Sequence, residues 1–158
     1  MTHISILASA AGALALSAFA AQAATVTLPQ HGPAMTAGMS GNKGIAGTWL
    51  TTYDGQRNTF TQWRKDGTAS QIIDFAPKTG NAQLGDWKVN GDGTVSLYLI
   101  GWSFDDKGNA LTGYFTKTET DTVSGNSYSG NFEVTFYDLG GNIVFQHDGT
   151  LTATRVGQ

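Results

Sequence analysis

Between Ile45 and Val156 the chain is cut by seven short turn signals at nearly even spacing, and nothing between them has a helical period. The signals are Asp54-Gly55, Lys65-Asp66-Gly67, Pro77 to Asn81, Asn90-Gly91-Asp92-Gly93, Asp105 to Asn109, Ser124-Gly125-Asn126 and Gly140-Gly141-Asn142. Gly, Asn and Asp take positive φ at little cost, which suits them to hairpin turns. They separate eight strand candidates at about 45–53, 58–64, 69–75, 83–89, 94–104, 110–120, 127–138 and 143–156. Short strands at this spacing predict a barrel or sandwich. No segment offers the helix that a parallel crossover needs.

Alternation sets the faces. In the seventh candidate Ser127, Ser129, Asn131, Glu133 and Thr135 share one side, and Tyr128, Gly130, Phe132, Val134 and Phe136 share the other. Water lies on the first side and the core on the second. The eighth places Ile143, Phe145, His147, Gly149, Leu151, Ala153 and Arg155 together, with Gly149 read as a bend inside one long strand. A meander of eight strands leaves two edges unless it closes on itself. Closure at this number leaves room for side chains or one small ligand. The expected fold is therefore all-β, a single eight-stranded antiparallel up-and-down barrel over residues 45–158.

What precedes the barrel has a different composition. Ile4 to Ala21 is nearly all Ala, Leu, Ile, Gly and Ser, and Ala21-Gln22-Ala23 offers small residues at the positions signal peptidase reads. Residues 1–23 are expected to be a signal peptide and 24–44 a flexible leader rich in turn formers. The mature protein would be periplasmic or secreted, with no stable membrane insertion after cleavage. Of 17 aromatic residues, 16 follow residue 45, which puts the start of the core there.

Other classes fall away. A formal charge of −3, with nine basic residues spread from Lys43 to Arg155, gives no footprint for nucleic acid. With no cysteine there is neither a lipoprotein anchor nor a disulfide. One histidine in the domain does not make a zinc site, which needs three or four clustered ligands. Asn90 to Gly93 has no helix after it and so is no phosphate loop. No metal and no cofactor are expected.

The first strand carries Gly47-Thr48-Trp49 and the last Thr152-Ala153-Thr154-Arg155. This pairing resembles the signature of calycins, the lipocalin-like barrels, and the layout is also similar to bacterial allene-oxide-cyclase-like barrels. The resemblance implies that Arg155 lies across Trp49 and closes one barrel end, a cation–π stack that caps apolar volume. Gly85-Asp86-Trp87 is a second copy of the short motif. The cysteines and the C-terminal helix of lipocalins are missing.

The candidate ligand-binding residues are Trp49, Phe115, Phe132, Phe136, Phe145 and His147, which would enclose a small apolar or aromatic molecule. His147 would supply a polar contact, or act as general acid or base; a core histidine satisfied by a neighbouring hydroxyl is the plainer alternative. If Leu99 lies opposite Phe115, Lys117 and Glu119 also face inward near one mouth. Glu119 is then the second catalytic candidate, and a solvated rim pair the alternative. Turn carboxylates such as Asp54 have a local explanation. Strand 94–104 is apolar on both faces, and Tyr98, Ile100, Trp102 and Phe104 would form either a homo-oligomer interface or a surface covered by the leader. Three functions stay open: a ligand-binding barrel, a cofactor-free cyclase, isomerase or lyase using the same cavity, and a structural or inhibitory interaction module.

Overall fold

The computed structural model describes residues 44–75, 77–79 and 82–157. The expected signal peptide, 1–23, and the leader up to residue 43 lie outside them. Eight strands follow in order: β1 (Gly47–Tyr53), β2 (Arg57–Trp63), β3 (Thr68–Ile73), β4 (Ala82–Val89), β5 (Val95–Phe104), β6 (Leu111–Ser124), β7 (Ser127–Asp138) and β8 (Ile143–Arg155). Each pairs antiparallel with its sequence neighbour, and β1 pairs with β8 from Trp49↔Arg155 to Tyr53↔Leu151, so the sheet closes. Among the described residues there is no helix. The all-β barrel expected from the turn spacing is the observed fold, and closure removes both open edges.

β6 runs four residues past its expected end because Gly125-Asn126 suffices to turn the chain into β7. Asp121, just past the expected end of that strand, is fully buried inside the barrel. The β5–β6 register also differs from expectation. Leu99 faces Lys117, and Gly101 faces Phe115, one inward pair further along. A bulge between Ser103 and Phe104 adds the single residue that keeps Phe115, Lys117 and Glu119 on the inner face. A second bulge, near Tyr137, pairs that residue with Ile143 and so separates Ile143 from the inner face that Phe145 shares.

The interior is layered. Trp49, Trp63, Trp87, Tyr128, Val95 and Leu97 fill one end. Trp63 meets both Trp87 and Tyr128 edge-on at 5.8 Å. Above them lies a polar layer containing Thr51, Thr61, Gln71, Lys117, Glu119 and Asp121, all buried. The far end is aromatic and open. Outside, Leu50, Phe60 and Ile72 stand in one cross-strand row, with Leu84 and Trp102 also exposed, so the outer apolar surface reaches beyond strand five. Tyr114 is on the outer face but buried, stacked on Tyr137 at 4.8 Å.

Candidate functional site

The closed end is built by the first and last strands. Trp49 is fully buried and its Nε1 donates to the carbonyl of Ile45 at 2.7 Å. The Arg155 guanidinium lies 4.1 Å from the Trp49 ring centroid and donates to the carbonyls of Ala46 and Gly44. Gly47 has φ 144°, and a Cβ there would stand 2.5 Å from Arg155 Nη1. Only glycine lets the guanidinium settle across the indole. One sequence expectation changes here. Trp49 does not line the open cavity, because the polar layer intervenes; it belongs to the plug.

At the other end a cavity of about 240 Å³ opens between the strand ends. Phe115, Phe132, Phe136 and Phe145 contribute to its wall, as the alternation of β6, β7 and β8 implies. Their rings form a chain, with Phe115 to Phe136 at 5.1 Å and Phe136 to Phe145 at 5.9 Å. Phe115 is buried, whereas Phe145 is 56% exposed and forms the lip. Ile73 and Phe75, at the end of β3, complete the apolar lining, and Arg57 lies over the Phe75 ring at 4.4 Å.

His147 stands at the rim, not deep in the lumen. Its Nε2 is 2.9 Å from Asp54 Oδ2, its side chain is half exposed, and its ring meets Phe132 edge-on at 5.7 Å. Asp54 also accepts from the Thr150 backbone N–H at 3.0 Å. These bonds, led by the one to His147, hold the Asp54 carboxyl below its usual pKa. The turn residue therefore fixes the histidine across the β1–β8 seam, a role its sequence position alone does not reveal.

The cavity floor is polar. Lys117 and Glu119 form a buried pair at 3.0 Å, not a rim pair. The Lys117 ammonium also donates to Tyr53 Oη at 2.7 Å and to Gln71 Oε1. Tyr53 donates to Glu119 Oε1 at 2.5 Å. Gln71 Nε2 donates to Tyr53 Oη at 2.7 Å and Thr61 Oγ1 at 2.8 Å. Burial pulls Lys117 below its usual pKa, against the opposing pull of Glu119. Burial, then the charge of Glu119, pushes the Tyr53 phenol well up. Sequence reading missed Tyr53, Gln71 and Gln83; the available signal was their inward parity with Trp49, Ala69 and Trp87.

Asp121, deeper still, has no hydrogen-bond partner on either carboxyl oxygen. Burial, then the nearby Glu119, pushes it up to about 9. Its folded pKa thus lies above the unfolded value of about 3.9. Over that interval the native state holds a proton that the unfolded chain lacks, so this group's contribution is full at low pH and fades as pH rises. Asp121→Asn is expected to flatten the dependence. Between about pH 5.5 and pH 8 the native sequence should lose about 3 kcal/mol more than the variant in urea unfolding. Parallel losses would contradict a proton-bearing Asp121.

Fold and site together define a closed eight-stranded up-and-down barrel, consistent with a calycin-like architecture, plugged at one end and open at the other. No family model, no curated protein and no solved structure matches this chain.

Proposed function

We propose that the protein binds a small, mostly apolar molecule in the open end of its barrel. The observation that carries this is a partly enclosed cavity walled by aromatic rings and floored by a few converging polar groups, the usual composition of a small-molecule site. An apolar cavity of ~150 Å³ takes a benzene, so about 240 Å³ suits a body of about ten non-hydrogen atoms. The Trp49–Arg155 stack supports a calycin kinship; the finer lipocalin-like or allene-oxide-cyclase-like assignment rests on that stack and the strand layout. In this reading the protein works in the periplasm or outside the cell, after removal of residues 1–23. The exposed row of Leu50, Phe60 and Ile72, with Trp102 of β5, offers a surface for self-association.

Gly101 gives a clean test. It faces Phe115 across the β5–β6 ladder, and an added Cβ would lie 2.7 Å from the Phe115 ring tip. The crowded atoms are the tip of a side chain that lines the cavity, with the Ala82 carbonyl next at 3.2 Å, so the ring gives before the backbone does. Gly101→Ala should therefore keep the fold while shrinking the site. Titration with 2-naphthol, followed by its own emission, should show saturable binding to the native sequence and about tenfold weaker binding to the variant. Absence of saturable binding to the native protein would sink the proposal.

A second reading is cofactor-free proton-transfer catalysis in the same cavity, as a cyclase, isomerase or lyase. It is favoured by the Asp54–His147 pair at the rim, where a carboxylate orients an imidazole against the bound molecule. Retained binding with lost turnover in His147→Ala would select this reading.

A further inference from the structure

Gln83 lines the cavity, is 1% exposed, and has no hydrogen-bond partner on either Nε2 or Oε1. A buried amide with both ends unpaired is costly, and native structures seldom keep one without a use. Its surroundings explain why the protein itself cannot satisfy it. Across β3 its partner is Gln71, whose amide is already committed to Tyr53, Thr61 and Lys117. Across β5 its partner is Gly101, which has no side chain, and the Phe115 ring lies over that gap. Thr79, another buried hydroxyl of the lining, donates to the Phe75 carbonyl at 3.3 Å.

We infer that Gln83 is the specificity-determining group of the cavity and selects an uncharged ligand that presents a donor and an acceptor side by side, such as a primary amide or a lactam. The inference rests on the ligand-binding reading above and narrows it. A carboxamide edge is self-complementary: Nε2 donates to the ligand oxygen while Oε1 accepts from the ligand N–H. An anionic head is disfavoured by the floor, because the three protons of the Lys117 ammonium already go to Tyr53, Gln71 and Glu119. The hydrocarbon walls take the rest of the molecule, and a ligand without the polar edge leaves the Gln83 amide unpaired in a dry site.

The experiment is displacement of bound 2-naphthol by benzamide, acetophenone, benzoate and isopropylbenzene, four compounds with the same number of non-hydrogen atoms. With the native sequence, benzamide should displace the dye at about tenfold lower concentration than the other three. In Gln83→Leu that advantage should vanish and isopropylbenzene should gain. If the leucine variant does not fold, Gln83→Met serves, and the native ranking decides by itself. Isopropylbenzene or benzoate ahead of benzamide on the native protein, or a ranking unchanged by the substitution, would overturn the role of Gln83. Those outcomes leave ligand binding intact, since displacement has occurred. Failure of 2-naphthol to bind at all would remove both.

Discussion

Lys117→Met should cost about 3–5 kcal/mol of folding stability, because it leaves a buried carboxylate without its cation. The Lys117 ammonium joins Glu119, Gln71 and Tyr53 within the barrel, and its side chain is only 6% exposed. After the substitution Glu119 keeps its bond from Tyr53 and faces Asp121 with no positive charge beside it. The pair is not expected to be a large net stabiliser. Desolvation of both ions offsets most of their attraction, so removing both is gentler than removing one. In the double variant Lys117→Met, Glu119→Gln, the new amide oxygen can still accept from Tyr53. It should recover about half of the loss, so the coupling is at least about 2 kcal/mol and grows by whatever Glu119→Gln costs alone. Urea unfolding of the four members of the cycle measures this. Strictly additive costs would mean that the two groups do not act as a pair.

Trp49→Ala should cost about as much, about 3–5 kcal/mol, for a different reason. The indole is fully buried, meets Tyr128 edge-on at 4.9 Å and carries the Arg155 guanidinium at 4.1 Å. Truncation opens a cavity, orphans the Ile45 carbonyl and strips the guanidinium of its stacking partner at once. Trp49→Phe keeps most of the volume and should lose about half as much. Ligand affinity of the folded fraction should stay within about twofold of the native value, since the polar layer separates plug from cavity. Thermal unfolding and 2-naphthol titration on the same samples check both parts. A large loss of affinity at unchanged stability would return Trp49 to the binding wall.

Much of the barrel was legible because hairpin connections are local. Each turn signal sits between two strands that pair, and alternation assigned Tyr128, Phe132 and Phe136 to the inside without knowledge of any neighbour. Gly47, Trp49 and Arg155 were legible through resemblance, since nothing local links residues so far apart in the chain. Depth along the barrel was not legible. It depends on strand tilt and stagger, and so Lys117 and Glu119 were placed at a rim while the structure buries them in the cavity floor. The bulge beside Phe104 likewise leaves no mark in the sequence, yet it helps to set the face of Phe115, which the register places opposite Gly101 and not Leu99.

The polar interior was missed for a related reason. Inward parity was visible for Thr51, Gln71 and Gln83, but hydroxyls and amides read as solvent-facing until a closed network is seen to satisfy them. Asp54 was read as a turn former. Its grip on His147 and Thr150 exists only because β8 returns to β1, a contact far apart in sequence. In physical terms, the strands were local information and the chemistry of the site was not.

The most direct test of an occupied open end is a titration of isotope-labelled protein with benzamide, read by nuclear magnetic resonance. Shifts should appear at the Gln83 side-chain amide and at the rings of Phe115, Phe132 and Phe136, and spare Trp49 and Trp63 at the closed end. Shifts confined to the outer row of Leu50, Phe60 and Ile72, or none at all, would contradict a ligand site inside the barrel.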